Sequence, residues 1–435
     1  MRAGRPATRL PAQLRALRAV AEAPDPRLDL RALLDAAEAV PPAEGVDALA
    51  DELAARVGAR EVGMLIADIS GLTLARLARG PAPERSVPRR PTGERVPIDG
   101  TPAGTALESQ QTQVSRDDDG VWVHLPVSER GEAVGVLELL LDQAPDAQTL
   151  DYLSSAGHAL AYVTIADRRF SDLYELGQRS SVLTLEAEIQ RRLLPASYAC
   201  EGPQFALAGW LVPADEAGGD TFDYVVDRDT LHLSITDAMG HGVHAAQLAT
   251  LGVGSLRNSR RRGLGLSDQA QQASRHIAAH AAPDQFVTAL LGRIDLRSGA
   301  LELVNAGHMN PLLVRDGQVS EIPLGAGLVL GVAPDEAYDL QRFQLRPGDR
   351  LALVTDGMFE RDAAEAEIEK LLATLGHLHP RETVQVLTRA VLNVPGGAVR
   401  DDATVLVVDW HGSSPVLPTR LRRSTATGTA AEPAT

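Results

Sequence analysis

The sequence contains few cysteine, lysine and aromatic residues. Cys200 is the single cysteine of 435 residues, which excludes an intrachain disulfide. A small apolar filler is the expected role of this thiol, with a reactive thiol as the alternative. Aromatic residues make up only 3% of the chain, so the cores must be built from leucine, valine and alanine. Lys370 is the one lysine beside abundant arginine, which indicates biased genome composition rather than a chemical role.

A long apolar run is also missing. The longest such stretch, Val134–Leu141, is interrupted by Glu138 and is far too short to cross a bilayer. The N-terminal residues are rich in arginine and alanine, and they lack the apolar run of a secretion signal. We therefore expect no membrane association and a cytoplasmic location.

The net charge of -16 disfavours nucleic acid or an anionic membrane as the main partner. It does not disfavour a phosphorylated substrate, because metal ions can neutralise phosphate locally. A chain of 435 residues is too long for one compact core, so two or three domains are expected.

Residues 1–27 are predicted to form a disordered tail, and residues 28–166 a mixed α+β module. Helices are predicted at 28–38, 46–57 and 149–169, strands at 62–68, 72–77, 121–127 and 133–141, and a loop at 79–99. The segments Ile66–Asp68 and Gly131–Leu137 give this module a resemblance to a GAF domain, which implies a sensor for an unknown small ligand or partner. A ligand-free dimerisation module is the alternative.

Residues 167–199 are predicted to be a helical linker. Leucines from Leu173 to Leu194 follow steps of three and four, with polar residues at Ser180 and Gln190. Such a heptad pattern predicts a continuous helix in a two-stranded coiled coil, and hence a homodimer. The alternative is an amphipathic helix that lies on its own domain.

Residues 200–410 show many short strands with a few helices, and residues 411–435 are predicted to be a disordered tail. Strands are predicted at 205–212, 224–226, 231–236, 286–295, 300–305, 311–314, 340–345, 351–355 and 403–410, and helices at 243–262, 268–282, 363–375 and 381–392.

Carboxylates recur beside glycine at the ends of these predicted strands. Four groups are present: Gly218–Asp220 with Asp223, Asp237–Gly242, Asp356–Gly357, and Asp401–Asp402. One Asp-Gly turn is common and carries no information, whereas four acidic groups at strand ends, three of them with glycine alongside, indicate carboxylates gathered at one site. Buried carboxylates repel one another and need a cation between them.

Mg²⁺ and Mn²⁺ suit carboxylate and water oxygens. A zinc site is not supported, because Cys200 stands alone and His241 and His244 lack a third partner. No covalent nucleophile with a clear base is evident. Oxygen ligands without a nucleophile favour attack by metal-activated water, for which a phosphate ester is the natural target, with two ions sharing the water.

The C-terminal region also resembles the bacterial type-2C, metal-dependent serine/threonine phosphatases of the sporulation and stress-regulator type. The matching segments follow the order of that family: Gln190–Pro195, Glu216–Asp223, Asp237–Gly242 with Ala245 and Ala246, Phe286–Ala289, Asn305–His308, Pro347–Asp349, Thr355–Gly357 with Glu360, and Asp401–Thr404. The resemblance implies an α-β-β-α sandwich of two antiparallel sheets between outer helices, which makes the whole chain α+β.

The resemblance also implies metal-site roles. Asp237 is expected to bridge two Mn²⁺ or Mg²⁺ ions, and the carbonyl of Ala238 to face one of them, where more distant relatives have glycine. Asp356 and Asp401 are expected to complete the shell of the second ion, and Asp220 to hold waters of the first.

The neighbouring polar residues receive supporting or open roles. Asp402 is an alternative or additional ligand, because the Asp-Asp doublet leaves the choice open. Asp223 is expected to support the site from behind the ligands. His308 is expected to be structural, and His241 to orient the metal-site loop, with general-acid duty as the alternative.

A phosphoserine/phosphothreonine protein phosphatase is the function that the resemblance implies, with a phosphorylated anti-sigma-factor antagonist as substrate. Two other classes remain open. A catalytically silent scaffold would lack a metal carboxylate, yet every expected aspartate is present. A nucleotide hydrolase would need a base-stacking pocket, for which an aromatic content of 3% offers little.

Overall fold

The computed structural model describes residues 29–413, except 69–70, 80–94, 180–182, 215–217, 326, 360–363 and 393–400. The chain divides into two compact units. The first comprises residues 1–129 and 133–180, and the second residues 130–132 and 181–435. The predicted tail at 1–27, most of the predicted tail at 411–435, and Glu216, Ala217 and Glu360 lie outside the described residues.

The first unit is built on one antiparallel sheet of six strands in the order β3-β2-β1-β6-β5-β4. Its elements are α1 (Leu30–Glu38), α2 (Gly45–Val57), β1 (Glu61–Ala67), β2 (Thr73–Arg79), β3 (Arg95–Pro97), α3 (Pro102–Ser109), β4 (Gln113–Arg116), β5 (Val121–Glu129), β6 (Glu132–Leu141), α4 (Ala147–Asp167) and α5 (Leu173–Gln178).

Both faces of this sheet are covered because its central strand is apolar on both sides. Met64 packs in the larger cluster with residues of α1, α2 and α4, while the next residue, Leu65, packs in a smaller cluster with α3. Asp29 and Asp146 cap the N-termini of α1 and α4. Gly58, with φ +68°, ends α2 in the left-handed conformation that glycine tolerates.

The long helices and strands predicted for this unit are confirmed, whereas some short elements of the structure were not predicted. Part of the predicted loop at 79–99 forms β3, and α3 was not predicted. Thr101 caps α3 and Pro102 occupies its first turn, which is a recognised start signal.

The predicted continuous helix from Leu173 to Leu194 is wrong. The chain forms α5 and then a separate helix, α6 (Leu185–Leu193). Thr184 has extended backbone (φ -71°, ψ 167°), and its side chain accepts from the amide of Ala187, so a new helix begins there. A coiled coil through this segment would need the helix to be unbroken.

The second unit contains two antiparallel sheets. Its elements are α6, β7 (Ala199–Glu201), β8 (Phe205–Val212), β9 (Thr221–Val226), β10 (Thr230–Ala238), α7 (Gly242–Arg261), α8 (Leu266–His280), β11 (Val287–Asp295), β12 (Ala300–Ala306), β13 (Leu312–Arg315), β14 (Gln318–Glu321), β15 (Gln341–Gln344), β16 (Arg350–Val354), a 3-10 turn (Asp356–Met358), α9 (Ala364–Thr374), a second 3-10 turn (Leu375–His377), α10 (Pro380–Leu392) and β17 (Ala403–Trp410).

These elements form four layers. The five-stranded sheet has the order β15-β12-β11-β10-β9, and the six-stranded sheet has the order β14-β13-β16-β17-β8-β7. Side chains from both sheets, such as Ile235 and Leu353, share the central core. Helices α7 and α8 pack on the outside of the first sheet, and α9 and α10 on the outside of the second. The expected α-β-β-α layering is thus present.

Candidate metal centre

The predicted carboxylates meet at one end of this sandwich because antiparallel strands bring alternate strand ends together. In the five-stranded sheet Thr236 pairs with Thr221, so Asp237 at the end of β10 lies beside Asp220 at the start of β9. In the six-stranded sheet Val354 pairs with Val405. Asp356 follows the first of these residues by two positions, and the Asp401–Asp402 pair precedes the second.

Asp220 is one of two fully buried carboxylates among the described residues at this end of the sandwich. It is 2% exposed, and its Oδ2 accepts hydrogen bonds from the hydroxyls of Thr355 (2.6 Å) and Thr404 (2.7 Å). Burial, followed by the charges of Asp237 and Asp402, raises the pKa of Asp220 well above its ordinary value, and the two hydroxyls oppose that rise. A buried carboxylate with this environment favours a nearby cation.

Asp402 is also buried, at 1% exposure, but its hydrogen bonds differ. Its Oδ1 accepts from the amide of Ala214 (2.8 Å), and its Oδ2 accepts from the amide of Gly218 (2.9 Å) and from the Gln190 side chain. A Cβ on Gly218 would stand 2.8 Å from Oδ2 of Asp402, so glycine is required for this approach. Asp402 therefore holds the backbone of Ala214 and of Gly218, and Gly218 lies two residues before Asp220.

Asp237 is half-buried at the end of β10. Burial, and then the charges of Asp356, Asp401 and Asp402, raise its pKa to about 7. Asp356 and Asp401 themselves are exposed. Mutual repulsion of this kind is relieved when a divalent cation binds among the carboxylates.

The backbone of Ala238, the residue after Asp237, lies close to the backbone of Gly219, the residue before Asp220. The amide of Ala238 donates to the carbonyl of Gly219 at 3.3 Å, and a Cβ on Gly219 would lie 2.4 Å from the carbonyl oxygen of Ala238. Glycine at 219 is therefore needed for the turn to pass so near. Whether the Ala238 carbonyl faces an ion stays a prediction.

The donor set suits hard divalent ions, since it consists of aspartate oxygens and one carbonyl. Within the part of the chain that the structure describes, no three aspartate, glutamate, histidine or cysteine side chains are already gathered in a metal-binding cluster. The carboxylates thus lie within electrostatic range of one another without converging on one point. Residues 215–217, 360–363 and 393–400, which adjoin three of the four acidic groups, are outside the described residues.

His308 links the two sheets beneath the site. Its Nδ1 accepts a hydrogen bond from the hydroxyl of Thr288 at 2.8 Å, and its Nε2 donates to the carbonyl of Val354 at 3.1 Å. Burial lowers its pKa to about 4, so the ring is neutral at pH 7. With both nitrogens engaged, His308 has the structural role that was expected.

Asp223 lies behind the site, where it binds arginines of α7. Its carboxylate accepts from Arg257 at 3.0 and 3.2 Å and from Arg260 at 3.0 Å. These contacts fasten α7 to β9. The prediction that Asp223 supports the site indirectly agrees with this arrangement.

His241 is the N-cap residue of α7, but its side chain makes no capping hydrogen bond and is exposed. The flanking residues Gly240 and Gly242 have φ of +91° and +73°, which only glycine adopts readily. The glycines, rather than the histidine, set the shape of this loop. The orienting role and the general-acid role of His241 both stay predictions.

Gln190 was missed as a site residue because it was assigned to the coiled-coil seam. It is 2% exposed, and its side-chain amide donates to the carbonyl of Asp220 at 2.9 Å and to Asp402. The signal that could have revealed it was a polar residue at a seam position for which the heptad spacing predicts an apolar side chain.

Residues 227–411 match the family described as Stage II sporulation protein E (SpoIIE). The phosphoserine phosphatase RsbU of Bacillus subtilis (strain 168) is 23% identical over 286 residues, which is 63% of this chain and 83% of RsbU. The phosphoserine phosphatase RsbP of the same organism is 24% identical over 188 residues, which is 42% of this chain and 46% of RsbP.

Among solved structures, the RsbU and RsbW domains of Rv1364c from Mycobacterium tuberculosis are 28% identical to this chain, with a TM-score of 0.45. That match covers 49% of this chain and 62% of the solved one. Of the two sequence relatives named above, the match covers most of the length of RsbU but less than half of the length of RsbP.

Proposed function

We propose that this chain, which is homologous to RsbU and whose second unit contains a phosphatase domain of the SpoIIE and PP2C type, is a metal-dependent phosphatase for phosphoserine and phosphothreonine in proteins. The observation that carries the proposal is the meeting of four acidic chain segments at one end of the sandwich, where burial and mutual repulsion raise the pKa values of Asp220 and Asp237.

Two divalent ions, Mn²⁺ or Mg²⁺, are the cofactors that this donor set would hold. In this proposal Asp237 would hold both ions, the Ala238 carbonyl would face the first, and Asp220 would hold waters of the first. Asp356 and Asp401 would complete the shell of the second. When bound, such ions activate water and neutralise phosphoryl oxygens. Because the pKa of Asp237 is about 7 without an ion, we expect ion binding to release a proton.

The Asp-Asp doublet divides its roles according to its hydrogen bonds. Both oxygens of Asp402 accept from backbone amides, and Gln190 adds a third donor. Asp401 is exposed, its Oδ1 accepts from the amide of Asp402 at 2.8 Å, and its charge contributes to the raised pKa of Asp237. We therefore assign Asp401 to the ion and Asp402 to positioning of the turn before Asp220.

Thr355 and Thr404 prepare Asp220 for its role. Both hydroxyls donate to the same oxygen, Oδ2, and so fix the carboxylate plane. We assign the other oxygen, Oδ1, to the cation site. The hydroxyls also favour the charged form of Asp220, which is the form that a cation requires.

For the natural substrate we propose a phosphorylated protein of the anti-sigma-factor-antagonist type, in line with the family resemblance. For the first unit we propose a GAF-like sensor domain, supported by its six-stranded antiparallel sheet with helices on both faces. Its ligand or partner is unassigned. We keep a homodimer as a proposal on the alternative that this unit is a dimerisation module, since the coiled coil no longer supports it.

In the part of the chain that the structure describes, no helix is both long and apolar enough to span a membrane. The cytoplasm is our proposed location, because the chain has a single cysteine and its relatives include two phosphoserine phosphatases.

The proposal is tested by phosphate release from a phosphoserine peptide, with Mn²⁺ or with EDTA, for wild type, Asp237→Asn and the control Asp316→Asn. Asp316 lies in the exposed β13–β14 turn with φ +52°, which asparagine accepts well. We expect release that requires Mn²⁺, falls about 100-fold or more in Asp237→Asn and persists in Asp316→Asn. Equal release by wild type and Asp237→Asn, or none by wild type, would contradict the proposal.

A further inference from the structure

Four large apolar side chains are exposed at the end of the five-stranded sheet that carries Asp237. They are Met239 (48% exposed), Met309 (37%), Leu328 (50%) and Val332 (55%), and we call them the apolar rim. Among the described residues of the second unit, only Leu185 and Val226 are other large apolar side chains with such exposure. Exposed apolar side chains are therefore concentrated at this edge.

The strand pairing places two members of the rim beside the metal centre. Met239 follows Asp237 by two residues at the end of β10, and Met309 directly follows His308 after β12. Both strands pair antiparallel with β11, so β10 and β12 end on the same side of the sheet. Residues in this extended backbone advance about 3.3 Å each, so Met239 lies within two such steps of Asp237.

The other two members, Leu328 and Val332, lie in a segment that is hydrogen-bonded to the same edge of the sheet. The amide of Gly327 donates to the carbonyl of Asn305 at 2.9 Å, and Val287 and Leu330 exchange hydrogen bonds of 3.0 and 2.8 Å. Leu330 is fully buried, whereas Leu328 and Val332, two residues to either side, are exposed. The neighbouring residue Phe286 accepts from the amide of Met239 at 3.1 Å, which joins the segment to the start of the rim.

The apolar side chains and the neighbouring carboxylates of this edge limit the kind of partner that it could bind. Exposed apolar side chains that share one edge of a sheet are typical of a site of protein contact. The carboxylates next to them, including exposed Asp356 and Asp401, disfavour acidic residues on a partner. A phosphate group alone would gain nothing from the rim, because its charge is met at the metal centre.

We propose that the apolar rim docks the protein substrate, by contacting apolar side chains that flank the phosphoserine. This proposal rests on the phosphatase function given above and adds the local chemistry of the substrate. A substrate with leucine or phenylalanine near its phosphoserine would bury apolar surface against Leu328 and Val332 while its phosphate enters the metal centre.

The test compares two phosphoserine peptides of equal length, one with leucine and phenylalanine beside the phosphoserine and one with serine and glycine there. The full chain is assayed with Mn²⁺ as wild type, Leu328→Ser, Val332→Ser and the double variant. Val226→Ser is the matched control, since Val226 is 40% exposed at the opposite end of β9. The measured quantity is the ratio of kcat/KM for the apolar peptide to that for the polar peptide.

We expect wild type and Val226→Ser to favour the apolar peptide, and each rim variant to lower the ratio about tenfold. Equal rates on the two peptides in wild type, or an unchanged ratio in the double variant, would overturn the docking proposal while the phosphatase function stands. No Mn²⁺-dependent release from either peptide by wild type would overturn the proposed function and the rim with it.

Discussion

Thr355 and Asp220 come from opposite sheets of the sandwich and share a hydrogen bond of 2.6 Å, which the Thr355 hydroxyl donates to Oδ2 of Asp220. The same hydroxyl accepts from the amide of Thr404 at 2.9 Å. The candidate ligand Asp220 is thus oriented only when both sheets are packed. Folding of the sandwich and assembly of the metal centre are one event in this arrangement.

Replacement of Thr355 by valine should therefore weaken both stability and metal binding. Thr355→Val removes the donor to Asp220 and the acceptor for the Thr404 amide, and we expect a loss of about 2 kcal/mol in the free energy of unfolding. Thr355→Ser keeps the hydroxyl and serves as the matched control. Urea unfolding in EDTA measures the first effect, and the Mn²⁺ concentration for half-maximal activity measures the second. Equal behaviour of the two variants would contradict this role.

The metal-free protein should lose stability as the pH rises through neutrality. Folding raises the pKa of Asp237 from its ordinary 3.8 to about 7, so between these values the folded state binds more protons than the unfolded state. That contribution is fully present below pH 3.8 and is lost as the pH rises to about 7. Urea unfolding in EDTA from pH 5 to 8 should show a smaller decline in Asp237→Asn than in wild type. Parallel curves would exclude this source of pH dependence.

Burial of His308 makes stability depend on pH with the opposite sign, so that stability falls as the pH falls. Folding lowers the pKa of His308 from 6.5 to about 4. Between these pH values the unfolded state therefore binds a proton that the folded state does not bind, and falling pH favours unfolding. We expect His308→Gln to remove about 2 kcal/mol of the stability difference between pH 7 and pH 5. Urea unfolding at both pH values tests this, and an unchanged difference would show that His308 is protonated in the folded state.

Much of the fold could be predicted because its strands and helices are long and apolar. The runs at 205–212 and 403–410 are buried almost throughout, and such runs stand out in a sequence. The short edge strands β4, β7 and β14 were missed, as was the eight-residue helix α3 despite its start signal at Thr101 and Pro102. A stretch of three or four residues carries no periodicity, and its conformation is set by its neighbour in the sheet.

The heptad pattern wrongly predicted a continuous helix from Leu173 to Leu194, and the reason is physical. Leucines at helical spacing report an apolar face, but they do not show what that face packs against or whether the helix is continuous. Thr184 interrupts the helix as a cap, and Gln190 turns its amide to Asp220 and Asp402.

The acidic site residues could be predicted, whereas their individual roles could not. Asp-Gly pairs at strand ends are visible in the sequence, but the hydrogen bonds that distinguish Asp402 from Asp401 join residues far apart in the chain. Gly218 and Asp402 are separated by 184 positions. Only the fold reveals that Asp402 accepts from two backbone amides and from the side chain of Gln190.

The most direct test of the central claim is titration of the metal-free full chain with Mn²⁺, followed by calorimetry, for wild type, Asp237→Asn and Asp316→Asn. We predict two ions per chain in wild type and in Asp316→Asn, with proton release at pH 7, and affinity at least about tenfold weaker in Asp237→Asn. Unaltered stoichiometry and affinity in Asp237→Asn would contradict the assignment of the metal centre to this end of the sandwich.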